Sequence, residues 1–205
     1  MKITSINVKP VKSERDPKLL ARVSMVIDNA VSLRGLRLRK KDDDSIVLLM
    51  AAQPRWDDPT KYMELFHPIS AEARKALTDV AVDAYNKALT DADENGRYIC
   101  NFPADDAKME ISSVRVYPTK SETAKSKAFV SLVLDDALVL HQIRVFERPD
   151  GLKIGMPNFR RKPNEKDGPV DMVNVYHPIS AEARKVLEDA VVAAYKDTMA
   201  AKDAA

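Results

Sequence analysis

The chain has 205 residues, of which 45% are hydrophobic and 31% charged, so it has enough apolar side chain for one medium or two small packed cores. It contains no run of 18 apolar residues and begins with a polar, alternating segment, so we expect neither a membrane span nor a secretion signal. Cys100 is the single cysteine, which excludes an intrachain disulfide and argues against a zinc cluster. These features predict a globular cytoplasmic protein without a bound metal.

The charges are nearly balanced overall but unevenly distributed. There are 33 basic and 31 acidic side chains, a net charge of +2, yet residues 1–90 hold 16 basic and 12 acidic groups and residues 91–108 hold 2 and 5. Two mildly basic halves therefore flank an acidic joint. This balance permits nucleic-acid binding but does not by itself require it.

The first predicted elements are strands, because apolar residues alternate or run at strand length. Asp28-Asn29 supplies a hairpin turn, and the apolar phase slips near Arg34-Gly35, which predicts a bulge or bend there. The predicted strands cover residues 3–8, 23–28, 31–38 and 46–50, with a short last strand near Met63 and Leu65.

A helix is predicted next. Ser70 is a good N-cap, and Glu72 lies in the first turn, where its charge favours the helix dipole. One stripe of the helix is apolar and must be buried; it consists of Ala73, Leu77, Val80, Ala81, Ala84 and Tyr85. Residues 90–108 then mix turn formers with a few apolar side chains and are predicted to form a linker that partly packs.

The second half repeats the first. The nine residues His67–Lys75 recur letter for letter at His177–Lys185, and the upstream strands have counterparts in the same order. The repeat predicts a second bulge at His141-Gln142 and a second N-cap at Ser180. The chain is thus divided into a first copy (residues 1–89), an acidic linker (90–108) and a second copy (109–199).

These elements predict an α+β protein made of two tandem antiparallel β-sheet units, each ending in an amphipathic helix. A unit of this size has little core of its own, so the copies should cover each other as an intramolecular pseudo-dimer. We expect each helix stripe to pack across the pseudo-twofold interface and the chain to be monomeric.

The second copy resembles the SpoVG family of bacterial sporulation and septation regulators. The residues that carry the resemblance are short motifs in order: Val130–Asp135, His141–Val145, Gly151-Leu152, Gly155–Pro157 and His177–Ile179. The first copy resembles the family less, with Met50-Ala51-Ala52 where the second has Met156-Pro157-Asn158. The resemblance implies a homodimeric, site-selective DNA- and RNA-binding regulator whose contacts include basic residues after the Met-Pro motif. By resemblance, the nucleic-acid-binding positions are Phe159, Arg160, Arg161 and Lys162.

Those residues suit that chemistry. One guanidinium group can donate two hydrogen bonds to the oxygens of one phosphate, and Phe159 could stack on an unpaired base. The alternative is a solvated loop with Phe159 packed in the core. In the first copy, Arg34–Lys41 is basic but Asp42–Asp44 follows at once, which favours a self-neutralising hairpin. We therefore expect the second copy to make most of the nucleic-acid contact, with Arg55 alone remaining in the first.

Catalysis is not predicted. His67 and His177 precede a proline at a helix start, where a structural role is the better interpretation, and no serine or cysteine partner is indicated. With 5 glycines and no glycine-rich turn, no cofactor or other small-molecule ligand is expected. The leading hypothesis is a SpoVG-like nucleic-acid-binding regulator. The alternative is a protein-interaction or scaffold module that kept the pseudo-dimeric fold without nucleic-acid binding.

Overall fold

The computed structural model describes residues 1–55, 57–104, 108–120, 124–161 and 171–204. The first copy forms seven strands and a helix: β1 Ile3–Pro10, β2 Leu19–Ile27, β3 Val31–Lys40, β4 Ile46–Leu49, β5 Ala52–Pro54, β6 Tyr62–Glu64, β7 Phe66–Pro68 and α1 Ala71–Asp91. The linker contributes β8 Tyr98–Asn101. The second copy repeats the order: β9 Ile111–Pro118, β10 Ala128–Leu134, β11 Leu138–Arg148, β12 Gly151–Gly155, β13 Asn158–Arg161, β14 Asp171–Asn174, β15 Tyr176–Pro178 and α2 Ala181–Asp203.

The strands form two main antiparallel sheets and two small arms. The first sheet has the order β15-β3-β2-β1-β8, with β4 also pairing with β3. The second sheet has the order β12-β11-β10-β9, with β7 also pairing with β11. We call the hairpin of β5 and β6 the first arm and that of β13 and β14 the second arm. The predicted α+β fold with two antiparallel units is confirmed.

The two copies exchange their last strands. β7 belongs to the first copy but pairs with β11 of the second sheet, with Phe66 opposite Leu140. β15 belongs to the second copy but pairs with β3 of the first sheet, with Tyr176 opposite Leu33. The exchange extends beyond the strands, because the backbone N–H of His141 donates to the Leu65 carbonyl at 2.8 Å. Each sheet is therefore completed by the other copy, which makes the chain an intramolecular pseudo-dimer.

The helices do not carry this exchange, and here our prediction is wrong. α1 lies on β1, β8, β4 and β7, and α2 lies on β9, β12, β15 and β10, so each helix packs against elements of its own half of the chain. The buried stripes are those predicted, including Leu77 and Ala81 on α1 and Leu187 and Val191 on α2. The physical reason is that each sheet has an apolar face of its own to cover. The short strand before each helix instead fills the open edge of the other sheet.

The local signals for turns, bulges and caps are confirmed. Asp28 and Asn29 have φ of 51° and 50°, as a two-residue type I′ hairpin requires, and the Asp135-Asp136 turn matches them. The pairing of β2 with β3 shifts opposite Gly35, at φ 77°, and the pairing of β10 with β11 shifts opposite Gln142, at φ 64°. The Ser70 and Ser180 hydroxyls each accept from a first-turn N–H, that of Ala73 or Ala183, at 3.0 Å. No helix in the described part of the chain is both long and apolar enough to cross a bilayer.

Two aromatic rings mark the centre of the interface between the copies. Phe66 and Tyr176 are fully buried, with ring centroids 6.3 Å apart and planes at 84°, an edge-to-face contact. They occupy equivalent positions in the two exchanged strands. Tyr176 has a hydroxyl group that Phe66 lacks. This hydroxyl donates to the His141 carbonyl at 2.5 Å, so the buried polar group has a hydrogen-bond partner. Burial raises the pKa of Tyr176 well above its usual value, so the hydroxyl stays a donor.

The two hairpin turns also meet at the interface through a carboxyl pair. The Asp28 side chain accepts from the Lys2 N–H at 2.6 Å, and Asp135 accepts from the Glu110 N–H at 2.9 Å. Both Oδ2 atoms are buried without a hydrogen-bond partner among the described residues, and Asp135 Oδ2 lies 3.4 Å from the amino-terminal nitrogen of Met1. Burial first, and then the neighbouring Asp135 carboxyl, raises the pKa of Asp28 to about 6. The Asp28 carboxyl therefore takes up a proton under mildly acidic conditions.

We predict that Asp28 makes the stability of the protein depend on pH. A folded-state pKa raised from 3.8 to about 6 means that the stabilisation is present below about pH 4 and lost as the pH rises through 6. Asp28→Asn keeps the acceptor and suits a positive φ but cannot titrate. Relative to wild type, its free energy of unfolding should rise by on the order of 1–3 kcal/mol between pH 4 and pH 7. Urea unfolding at both pH values measures this, and parallel pH profiles would refute it.

We also predict that the whole chain is monomeric, since both exchanged strands find their sheet edges within one chain. Light scattering should give the mass of one chain, 22.9 kDa, across micromolar concentrations. A second copy expressed alone (residues 109–199) lacks β3 and β7, so we expect it to dimerise or unfold. A stable two-chain form of the whole protein, or a folded monomeric second copy, would contradict the internal dimer.

Candidate nucleic-acid interface

The second arm carries the predicted binding residues. Phe159 and Arg160 lie in β13, opposite Val173 and Met172 of β14. Phe159 is 41% exposed, so it is not packed in the core as the alternative interpretation required. Arg161 ends β13, where only its backbone is described, and Lys162 lies outside the described residues. The arm thus presents a ring and a guanidinium group to solvent.

The charge on the two arms differs. Within the described residues, Arg160 forms no ion pair. In the first copy, Arg55 Nε and Nη2 bind the two carboxylate oxygens of Asp57 at 2.9 and 2.6 Å. That hydrogen bonding lowers the pKa of Asp57, so the pair stays ionised at neutral pH. A neutralised Arg55 agrees with the expectation that the first arm contributes little to binding phosphate.

A second basic feature lies on the first sheet, on its outer face, which we define as the face opposite the helix. Lys9 pairs with Arg22, and Arg22 pairs with Arg37, so three cations stand side by side across β1, β2 and β3. All three are exposed, and none has an ion-pair partner among the described residues. We call them the cationic row. Like charges directly opposite one another destabilise a sheet, so an anion bound here would relieve a repulsion that folding leaves in place.

Two other members of the first copy's basic run are paired with carboxylates. Arg39 Nη2 lies 2.7 Å from Asp16, and Lys40 Nζ lies 2.7 Å from Asp44. The self-neutralising interpretation is therefore confirmed for Lys40, whose partner is one of the three following aspartates, whereas Arg39 pairs with Asp16 outside the hairpin and Arg37 has no ion-pair partner among the described residues. Arg37 and Arg39 share one face of β3, so the difference arises from their neighbours: Arg37 is opposite Arg22, whereas Arg39 lies within reach of Asp16.

The outer face of the second sheet carries rings at the equivalent positions. Tyr117 stands where Lys9 does and is 54% exposed; Phe129 stands where Arg22 does and is 36% exposed. We call these two rings the aromatic row. Arg144 continues it on the next strand, opposite Phe129, and lies 5.4 Å from the centre of the Phe146 ring. Phe146 lies over Gly155, where an added Cβ would approach to 2.5 Å.

Histidines line the bulge of the second sheet. His141 Nδ1 is 2.8 Å from Ser131 Oγ, and its ring stacks on His67 with centroids 5.0 Å apart. Burial, and then the charge of His67, lowers the pKa of His141, so it is neutral at pH 7. Ser131 and His141 have the contact of a nucleophile and its base, but no described residue hydrogen-bonds the other ring nitrogen, which a catalytic triad would need. In the first sheet Arg34 takes the place of His141.

Comparison with known proteins agrees with the repeat. The SpoVG family model matches the chain twice, over residues 1–87 and 109–197. A relative named putative septation protein SpoVG from Acholeplasma laidlawii is 37% identical over 94 residues, covering 46% of this chain and 93% of the relative. One of the same name from Clostridioides difficile is 41% identical over 91 residues (44% and 91%), and one from Staphylococcus aureus is 36% identical over 90 residues (44% and 83%).

These findings define the class of protein: it is a tandem repeat of two strand-rich units, each with a helix, that exchange strands within one chain. The chain belongs to the SpoVG family and contains two copies of the family's domain. Each match covers about half of this chain and most of the relative, so one chain here has the length of about two relatives. The resemblance that the sequence suggested is confirmed.

The cationic row gives a prediction about stability that does not depend on any ligand. Replacing Arg22, its central member, with Gln removes two like-charge pairs while keeping a long polar side chain. The free energy of unfolding should rise by about 0.2–1 kcal/mol at low salt. At about 1 M salt the gain should vanish, because the charges are screened over about 3 Å. Urea titration at both salt concentrations measures the effect, with Arg22→Lys as the charge-preserving control; a gain that persists at high salt would exclude repulsion as its cause.

Proposed function

We propose that this protein is a nucleic-acid-binding regulator of septation or sporulation, with the second arm and the cationic row as its phosphate-binding surfaces. The observation that carries the proposal is the cationic row, since its three charges have no ion-pair partner among the described residues. Neighbouring strands are about 4.8 Å apart, so the row spans about 10 Å. Duplex DNA carries about one negative charge per 1.7 Å of axis, so a backbone crossing the row would present several phosphates to it.

The second arm leads directly into a strand of the sheet that carries the cationic row. β14 ends at Asn174, and two residues later Tyr176 enters β15, which pairs with β3 of the first sheet. The Arg34 N–H also donates to the Val175 carbonyl at 2.7 Å. The arm that bears Phe159 and Arg160 therefore starts at the same sheet that bears the cationic row. Binding would then be shared between the copies: the second supplies the arm and the first supplies the row.

The relatives' names support the biological role, and the family resemblance supports the positions. Each of the three relatives is named as a septation protein. Phe159, Arg160, Arg161 and Lys162 are proposed as nucleic-acid contacts, with guanidinium groups on phosphate and the ring on a base. In this role the protein needs no cofactor, and we propose that it works as a single chain in the cytoplasm.

The competing function is a protein-interaction module, which the exposed apolar tips of the arms favour. Tyr62 on the first arm is 68% exposed and Met172 on the second is 54% exposed. If the whole protein binds no DNA or RNA at low salt, the interaction module becomes the better assignment.

Three variants separate the contributions to binding. Replacing Arg160, Arg161 and Lys162 together with alanine should flatten the slope of log affinity against log salt by roughly 2 to 3 units, one for each phosphate that is no longer neutralised. Arg55→Ala is the matched control on the first arm and should change it by about 1 unit or less, since Arg55 is already neutralised by Asp57. Replacing Lys9, Arg22 and Arg37 with alanine should again flatten the slope by roughly 2 to 3 units.

Fluorescence anisotropy with labelled DNA and RNA, repeated at several salt concentrations, measures these slopes. Each variant is first checked by thermal unfolding, because exposed substitutions should shift stability by only about 0.5 kcal/mol. Salt slopes that match wild type in both triple variants would refute the proposed surfaces. If Arg55→Ala changed the salt slope as much as the triple variant of the second arm, both arms would contribute equally to nucleic-acid binding.

A further inference from the structure

We propose that the groove beside the aromatic row is a stacking site for unpaired bases, which makes the protein prefer single-stranded over double-stranded nucleic acid. This inference rests on the proposed function and adds which form of nucleic acid is bound. It concerns a different surface from the second arm and depends on none of the residues singled out by the family resemblance as nucleic-acid contacts.

The rings themselves are the first evidence. Tyr117 and Phe129 are directly opposite on β9 and β10, and both keep a large part of their surface in water. Their neighbours on the same two strands, such as Val116 and Ala128, face the core instead. Two adjacent exposed rings on a flat sheet form a platform of the kind on which successive bases stack.

The groove has two walls, one from each copy. Its floor and one wall come from the second sheet, and the first arm supplies the other wall; the residues are Gln53, Pro54, Met63, Tyr117, Phe129, Val130, Ser131, His141 and Gln142. The volume is about 530 Å³, within the range of about 300–1,000 Å³ typical of small-molecule sites. Gln142 Nε2 lies 3.8 Å from Met63 Sδ, so the arm and the sheet are in contact. A single copy could not build this groove.

The polar groups in the groove suit a base better than a phosphate. Gln53 and Gln142 carry amides, which can donate to and accept from the edge of a base. His141 is neutral at pH 7 because burial lowers its pKa, so the groove is uncharged where the base would enter. The positive charge lies outside it, on Arg144 beside Phe129 and on Arg148 beside the Phe146 ring. This arrangement places the cations where a sugar-phosphate backbone would run.

Stacking of this kind discriminates between nucleic-acid forms. In a duplex both faces of each base are covered by its neighbours, whereas a single strand can present a base to a protein ring. The cationic row occupies the equivalent positions of the first sheet, with Lys9 for Tyr117 and Arg22 for Phe129. It binds phosphate without regard to pairing. The two sheets therefore provide a matched pair of surfaces, one selective for unpaired bases and one not.

The test compares a single strand with its own duplex. Labelled DNA and RNA of one mixed sequence are titrated with the whole protein, as single strands and as duplexes. Tyr117→Ala and Phe129→Ala should each weaken single-strand binding by roughly tenfold, the effect per stacked base of removing an aromatic ring. Duplex affinity should stay within about twofold of wild type, since both substitutions leave the cations in place. Tyr117→Phe keeps the ring, so this variant should bind single strands with wild-type affinity.

A spectroscopic readout detects stacking directly. A single strand containing 2-aminopurine should lose fluorescence on binding to wild type, and the loss should be smaller for Tyr117→Leu, which preserves apolar packing but removes the ring. As the matched control, replacing Lys9 and Arg22 with alanine should weaken single strands and duplexes alike. Thermal unfolding of every variant confirms that the fold is retained.

The outcomes distinguish this inference from the proposed function. If wild type binds no nucleic acid, the proposed function fails and this inference fails with it. If wild type binds but Tyr117→Ala and Phe129→Ala leave single-strand affinity unchanged, or weaken duplexes equally, the stacking site is refuted while the proposed function stands. A selective loss of single-strand affinity, together with reduced 2-aminopurine quenching, supports the stacking site.

Discussion

The structure depends on an exchange of two three-residue strands. β7 and β15 each leave their own copy to complete the other copy's sheet, and the rings of Phe66 and Tyr176 meet between them. An exposed sheet edge would otherwise present unpaired N–H and C=O groups, so the exchange satisfies both edges at once. Because both copies are in one chain, the association is intramolecular and does not depend on protein concentration. The carboxyl groups of Asp28 and Asp135 are neighbours at the same interface, where burial raises the pKa of Asp28.

This internal dimer allows its two halves to differ. In a dimer of identical chains, any change on one sheet appears on the other, whereas here each outer face has its own residues. The first sheet carries Lys9, Arg22 and Arg37 in a row, and the second carries Tyr117, Phe129 and Arg144 at the same places. Both helices cover the opposite faces, so these rows can change without disturbing the core. The two copies therefore pack in the same way, but the outer faces of their sheets differ in charge.

The exchange also brings each arm beside the other copy's sheet. The first arm leads into β7 and forms one wall of the groove on the second sheet. The second arm leads into β15 and starts at the edge of the first sheet. The groove therefore combines residues from both halves of the chain, whereas the cationic row and the second arm each belong to one copy.

The local structure could largely be predicted from the sequence, because a single side chain often determines a backbone angle in a turn or the N-cap of a helix. The repeat, the two-residue turns at Asp28 and Asp135, the bulge near Gly35 and the Ser70 and Ser180 caps all depend on residues within a few positions of one another. The motif after Met156-Pro157 placed the second arm among the candidate surfaces. The short-range pattern also showed that each helix must bury a stripe.

Tertiary structure alone decided what lies against what. Arg22 comes to face Arg37 through a hairpin that a bulge shifts by one residue, and Lys9 reaches Arg22 across a long connection whose length does not determine register. The same holds for the pair of Tyr117 and Phe129. An apolar stripe predicts that a helix is covered, but it does not predict which sheet covers it. The strands β7 and β15 are too short for their residue pattern to predict the strand with which each pairs. Such pairings depend on the edges left open once both sheets and helices have packed, a property of the whole chain that no local segment contains.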